Sequence, residues 1–248
     1  MDLTILGSSA SFPGPGRACA GYLLAAGGTH VVLDLGNGTL SNLSIATDPY
    51  ALDAVFISHL HADHFLDLFA LMAMVRYAPE GTKRPVALFA PEGLEERMGS
   101  LMSPSGRSDV AEAFTWTTLR DAEPVEVGAF TLTPYSVEHE GPTFAIRAEA
   151  GGRTLCYTSD SRYSDPVRRA STGCDLLLAD ATLPAGYAGR APHMTSAEAG
   201  ALAAEAGASK LVLTHLWPTV PRGDILDDAQ AAFTGNVILA EELASVEV

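Results

Sequence analysis

Short apolar runs and the breaks between them give the chain a repeating strand-and-helix rhythm. Leu3–Leu6, Gly21–Ala25 and His30–Leu35 are apolar stretches separated by glycine turns, and each reads as a strand. A short helix is predicted after Asn37, followed by a buried strand over Ala54–Ser58. Asp63 to Tyr77 reads as one helix, with Leu66, Phe69, Ala70, Ala73 and Met74 on a single face. Val86–Ala90 is a further strand, and Pro91 sits as a first-turn proline would, so a helix is predicted to start there. Ser103-Pro104-Ser105-Gly106 makes Gly99–Ala113 read as a loop, with room for a short helix after it. From Phe114 to Ser159 the pattern is all strand, broken at Gly128, Gly141 and Gly151-Gly152. Alternation then resumes: helix Asp165–Ser171, strand Asp175–Ala179, helix Thr195–Ala206, strand Lys210–Thr214, helix Asp224–Phe233, strand Val237–Leu239. No repeat or charge run divides the chain, so one domain is expected over residues 1–248. Its two similar halves predict an α/β (α+β) fold, two mixed β-sheets packed face to face with helices on the outer faces.

Composition narrows the functional classes. With 248 residues, 47% of them hydrophobic, the chain can bury a sizeable core, and intrinsic disorder is excluded. No uninterrupted apolar run is long enough to span a membrane. The start, Met1-Asp2-Leu3, lacks the basic residues and long apolar core of an export signal. Cys19, Cys156 and Cys174 are odd in number and far apart, which suits reduced thiols and a cytoplasmic setting. The net charge is −15 and lysine occurs only at Lys83 and Lys210, so a long nucleic acid is not an expected partner.

Histidine placement carries the chemistry. His59-Leu60-His61-Ala62-Asp63-His64 directly follows a predicted strand. Residues two apart in an extended segment point the same way, so His59 and His61 can grip one ion. Asp63 and His64, at the following helix start, face a second position. Such crowded imidazoles and carboxylates repel or desolvate one another unless a cation joins them. Three more candidates each stand just past a strand: His139 after Leu132–Val137, Asp160 after Thr154–Thr158, and His215 after Leu211–Thr214. Singly, each also fits an ordinary strand-end histidine or a turn aspartate. Together they share the C-terminal mouth of the strands, where open α/β sheets place their sites.

This set resembles the metallo-β-lactamase superfamily. Leu6-Gly7-Ser8 and His193-Met194-Thr195, the latter opening an alanine-rich helix that leads to Thr214-His215, resemble its ribonuclease Z-like branch. Within that branch the chain looks most like bacterial cyclic-nucleotide phosphodiesterases. The resemblance runs from Leu3 past His215 and implies a four-layer αβ/βα sandwich with two divalent metal ions. Zinc is the first expectation, with manganese or iron open. It implies that His59, His61 and His139 hold one ion, that Asp63, His64 and His215 hold the other, and that Asp160 bridges them. His193 matches a non-ligand histidine that assists catalysis, and Asp63 would also orient the attacking hydroxide. His30 is read as structural. There are departures. The tRNA-processing members insert a long basic arm between the lone histidine and the bridging aspartate, but about twenty residues separate His139 from Asp160 here. The usual Gly-Asp-Thr is Ser159-Asp160-Ser161.

The expected reaction follows from that resemblance. Two cations about 3.5–4 Å apart would make a bridging hydroxide at neutral pH and clamp the charge of an in-line displacement. A small phosphodiester such as a cyclic nucleotide suits this, with His193 protonating the departing alkoxide. The bland reading of His193 is a helix-start residue ahead of the Thr195/Glu198 cap. The loop Ser8–Arg17 supplies backbone N–H groups or Arg17 to a substrate phosphate, or is merely a glycine-proline turn. Asp180 is read as an acid that orients a ligand histidine rather than binding metal, and Asp34 as a buried acid bonded to loop backbone near the site. Hydrolysis of a lactone, ester or thioester stays open as an alternative, since Tyr187 stands near the site in sequence. tRNA 3′-processing fits less well. A homodimer is expected only by analogy with the branch.

Overall fold

The computed structural model describes residues 1–248. The first half holds β1 (Asp2–Gly7), β2 (Gly21–Ala26), β3 (Thr29–Leu35), helix α1 (Thr39–Ala46) and β4 (Ala54–Phe56). It continues through α2 (Ala62–Phe65), α3 (Leu68–Tyr77), β5 (Val86–Ala90), α4 (Leu94–Ser100), α5 (Pro104–Ala113) and β6 (Phe114–Thr118). The second half holds β7 (Val125–Val127), β8 (Phe130–Ser136), β9 (Phe144–Ala150), β10 (Arg153–Tyr157), α6 (Asp165–Ser171) and β11 (Leu176–Asp180). It closes with α7 (Ser196–Ala206), β12 (Lys210–Thr214), α8 (Arg222–Ala232), β13 (Asn236–Leu239) and β14 (Ser245–Glu247). Two seven-stranded mixed sheets result, ordered β14-β1-β2-β3-β4-β5-β6 and β13-β12-β11-β10-β9-β8-β7.

Strand alternation builds the layers. Along β3, Val31 and Leu33 point into the interior between the sheets and Val32 points outward beneath helices, until the left-handed backbone at Asp34 (φ +57°) breaks the alternation and turns Leu35 outward too. Along β11, Leu176 and Leu178 face inward, and Leu177 and Ala179 face α6, α7 and α8. Because both faces of these strands are covered, they read as unbroken apolar runs. The central core joins Leu3, Tyr22 and Phe56 of one sheet to Phe130, Ile146 and Tyr157 of the other. The order is helix, sheet, sheet, helix: the four-layer sandwich.

Several predicted elements shift. The helix expected over Asp63–Tyr77 breaks at Leu66-Asp67, because the Asp67 N–H donates to the Leu35 carbonyl (3.0 Å) and its carboxylate accepts from the Leu40 N–H (2.8 Å). That break rotates the following helix, so its buried face is Leu68, Leu71, Met72 and Val75, not the one expected. No helix starts at Pro91; Gly93 turns with φ +93° and α4 follows it. Gly99–Ala113 is mostly helical, since Ser103 caps α5 by accepting from the Gly106 N–H and Pro104 opens it. Strand β14, which pairs with β1, has no counterpart among the expected elements.

The parallel strands β3, β4, β10, β11 and β12 all end at one edge of the sandwich. There the Phe144 N–H donates to the Ser58 carbonyl (3.0 Å), joining the sheets, and Leu216 exchanges backbone bonds with Ser8 and Ala10 after β1.

Candidate metal centre

His59, His61, Asp63 and His64 leave the end of β4, and their neighbours converge on them from four other strand ends. His59, His61, His139 and Asp160 form one group whose ligand atoms all lie within 4.8 Å of one another. Asp63, His64 and His215 form a second. Asp160 touches both: its Oδ2 is 3.6 Å from His59 Nε2, 3.8 Å from His139 Nε2 and 3.4 Å from His64 Nε2, and its Oδ1 is 3.4 Å from His215 Nδ1. The seven sequence candidates for metal binding are thus brought together, and Asp160 lies between the two groups. His30 stands at the start of β3, outside both groups, with its N–H bonded to Asp53.

Hydrogen bonds on the far side of four of the five rings, all but that of His61, show which nitrogen faces inward. His139 Nδ1 donates to the Pro192 carbonyl (2.8 Å) and His64 Nδ1 to Asp34 Oδ2 (2.8 Å). Ser58 Oγ donates to Asp34 Oδ2 (2.7 Å) and so accepts from His59 Nδ1 (3.0 Å). His215 Nδ1 bonds to Thr182 Oγ1 (2.7 Å), which passes its own proton to Asp180 Oδ1 (2.6 Å). The inward nitrogens therefore carry lone pairs, and they sit close: His139 Nε2 to His61 Nδ1 is 3.2 Å, His64 Nε2 to His215 Nε2 is 3.3 Å. His59 Nε2 and Asp160 Oδ1 are buried with no hydrogen-bond partner. Facing lone pairs and orphaned buried acceptors are what cations satisfy, so the residues fit divalent metals.

The electrostatics agree. Burial and neighbouring imidazoles push His59 well below its usual range, and burial lowers His139 also, keeping both rings neutral as ligands must be. Burial opposes charge on His64, yet Asp160 and Asp34 hold it well above the ordinary value. A bound cation would take the place of that extra proton. Burial alone would raise Asp63 and Asp160, but the histidines facing them hold both well below the usual carboxylate range.

His193 stands beside the cluster. Its Nδ1 donates to Asp180 Oδ2 (2.9 Å) and lies 4.0 Å from Asp160 Oδ2, so that nitrogen has no lone pair to offer a metal. Burial pushes this imidazole down, but Asp180 in contact pushes harder, to about 9. Asp180 also accepts from the Thr182 and Ser161 amides. Asp180 lies behind the cluster and orients its histidines, as the sequence suggested; Asp34 accepts from the Ser58 backbone as expected and, beyond that expectation, from His64 as well.

Other contributors were not legible in advance. The Ser11 N–H, in a left-handed turn (φ +57°), donates to Asp63 Oδ2 (2.7 Å). The loop Ser8–Arg17 thus serves a site carboxylate through its backbone, while Arg17 is bound to Glu241 and Glu242 (both 2.6 Å) rather than free for a phosphate. Tyr157 and Thr182 support Asp34 and His215; only their nearness in sequence to Asp160 and Asp180 hinted at this.

Comparison with known proteins places the chain in a family. Residues 29–216 match the Beta-lactamase superfamily domain. The chain is 36% identical over 247 residues to Uncharacterized protein Rv1339 of Mycobacterium tuberculosis, covering 96% of this chain and 88% of that one. It is 31% identical over 248 residues to Probable metallo-hydrolase YhfI of Bacillus subtilis, covering 97% of each. The YhfI crystal structure superposes with a TM-score of 0.88 at 29% identity, over 99% of both chains. Ribonuclease Z of Methanosarcina mazei is 28% identical over 303 residues, covering 100% of this chain and 98% of that one.

Proposed function

Because the chain belongs to the metallo-β-lactamase superfamily and is a metal-dependent hydrolase, we propose that it cleaves a small phosphodiester, such as a cyclic nucleotide. In this reading His59, His61, His139 and Asp160 hold one divalent ion, and Asp63, His64 and His215 hold a second that shares Asp160. Zinc is the proposed metal, given five imidazoles among seven ligands, with manganese or iron as alternatives. When bound, such ions lower the pKa of a water and offset the charge that develops on a phosphoryl group.

The observation that carries the reading is the His193–Asp180 pair. An alkoxide leaving from phosphorus needs a proton, and Asp180 keeps His193 protonated at neutral pH with Nε2 free to deliver it. The backbone N–H of Ser11 fixes Asp63, so this carboxylate is held rigidly beside the reacting phosphoryl group. Tyr187 borders the same cleft as His193, and this favours lactone, ester or thioester hydrolysis as the second reading. Against tRNA processing, the Ribonuclease Z alignment needs 303 positions where this chain has 248 residues, and the net charge is −15. The reading includes a cytoplasmic setting, in keeping with three separate buried thiols.

The test is a panel of cyclic nucleotides and bis-p-nitrophenyl phosphate beside lactones and thioesters, with zinc and manganese supplied separately. Turnover of phosphodiesters well above lactones and thioesters is expected. The reverse order would overturn the reading.

A further inference from the structure

An open cleft of about 460 Å³ adjoins the cluster, and His193 is the wall they share. Its other surfaces come from Leu183, Pro184, Tyr187, Trp217 and Val220. Both aromatic walls are tethered to the site by short stretches of chain: Trp217 follows His215 by two residues, and Tyr187 precedes His193 on the same loop. Eight large apolar side chains are left exposed on this protein, and Tyr187, Trp217 and Phe12 are three of them. The Phe12 ring meets Trp217 edge-on at 5.6 Å and 90°, and the Arg190 guanidinium lies 4.8 Å from the Tyr187 ring. The Val220 N–H donates to the Trp217 carbonyl (3.0 Å), and Leu216 is bonded to Ser8 and Ala10. Trp217 is therefore held in place at its ring and along its backbone.

The lining defines what fits. It contains no carboxylate, arginine or lysine, and His193 is its only histidine. Of its three hydroxyl groups, Thr182 Oγ1 is already engaged by Asp180 and His215, which leaves Thr219 and the Tyr187 phenol. Beyond His193, which faces the phosphoryl group in the proposed reaction, and Arg190, which packs on the Tyr187 ring outside the lining, a second phosphate would find no cation here, and a charged fragment would lose hydration with little return. A flat, uncharged ring would gain stacking on aromatic and proline faces, with Thr219 to meet a polar edge. We propose that this cleft holds the nucleobase of the substrate, with Trp217 and Tyr187 as its specificity-determining side chains. The proposal rests on the phosphodiesterase reading only for where the phosphoryl group lies; binding of the base is a separate property.

Two measurements on the full chain test it. In ligand-observed saturation-transfer NMR with adenosine as the probe, the base protons should receive saturation from the wild-type protein. That signal should be lost in Trp217→Ala and Tyr187→Ala and retained in Trp217→Phe, which keeps a flat ring. Ribose 5-phosphate should show no such transfer. No base saturation at millimolar adenosine, or equal saturation in both alanine variants, would overturn the proposal. The second measurement is a discrimination ratio: kcat/KM for an adenosine cyclic phosphate divided by kcat/KM for the cyclic phosphate of a base-free methyl riboside. Trp217→Ala should lower it roughly 10–100-fold, the range for losing one base–aromatic stack. An unchanged ratio would also overturn it. If the wild-type protein turned over no phosphodiester, the phosphodiesterase reading would fail, and adenosine binding would still decide the cleft.

Discussion

Two buried carboxylates sit behind the metal centre at matching places, Asp34 at the end of β3 and Asp180 at the end of β11, and they do different work. Asp34 takes a left-handed backbone (φ +57°). It accepts from the Ser58 N–H, Ser58 Oγ, His64 Nδ1 and Tyr157 OH, all at 2.7–2.8 Å. Every one of these partners is buried, and Tyr157 reaches it from the opposite sheet. Asp34 therefore fixes a ligand histidine and stitches the sheets beneath the site. Asp180 is equally buried but holds His193, whose side chain is 16% exposed, and through Thr182 it also steadies His215. In the proposed reading, the Asp34 side of the centre supports metal ligands and the Asp180 side faces the open cleft. On that reading, the two sheets divide ligand support and proton handling between them.

That division can be broken in order of severity. Asp160→Ala removes the carboxylate shared by both groups, so metal content should collapse and activity with it; elemental analysis of loaded protein beside an activity assay reads both. Retention of both metals would place Asp160 outside the ligand set. His193→Ala should keep its metal yet lose roughly 10²–10⁴-fold in turnover of a phosphodiester with a poor leaving group, the range of a general acid. The loss should shrink with a nitrophenyl ester; equal losses would make His193 a positioning residue. Asp34→Asn puts an amide among four donors, so metal affinity should fall about 10–100-fold with modest change in the pH profile. A chelator competition titration measures that.

The mildest effect is expected at Asp180→Asn. The Asp180 carboxylate raises His193 to about 9, and in the proposed mechanism the protonated imidazole is the form that donates. Without it, His193 loses its proton at lower pH, so the alkaline fall in kcat should begin at lower pH. A pH–rate profile on a poor-leaving-group diester would show this, and an alkaline limb that stays in place would separate Asp180 from the proton donor.

Much of this division was legible in the sequence because it is encoded locally. Two-residue spacing put His59 and His61 on one side of an extended segment, and strand ends marked His139, Asp160 and His215. The supports were harder to see, since Tyr157 meets Asp34 only once two sheets face each other and Pro192 offers His139 only a backbone carbonyl. Helix α5 was obscured because Ser103-Pro104 is both a loop signature and a good helix start, and nothing local distinguishes the two. The break between α2 and α3 came from Leu35 and Leu40, partners about thirty residues away. Strand β14 has three residues, too few for its pattern to show against the turn before it.

Two cations sharing Asp160 where the sheets meet are what the proposed chemistry requires most. Elemental analysis of protein loaded with excess zinc and then freed of loose metal tests this most directly. Two ions per chain in the wild type, falling with Asp160→Ala while His193→Ala keeps both, is the predicted result. One ion or none in the wild type, or loss of metal from the His193 variant, would contradict it.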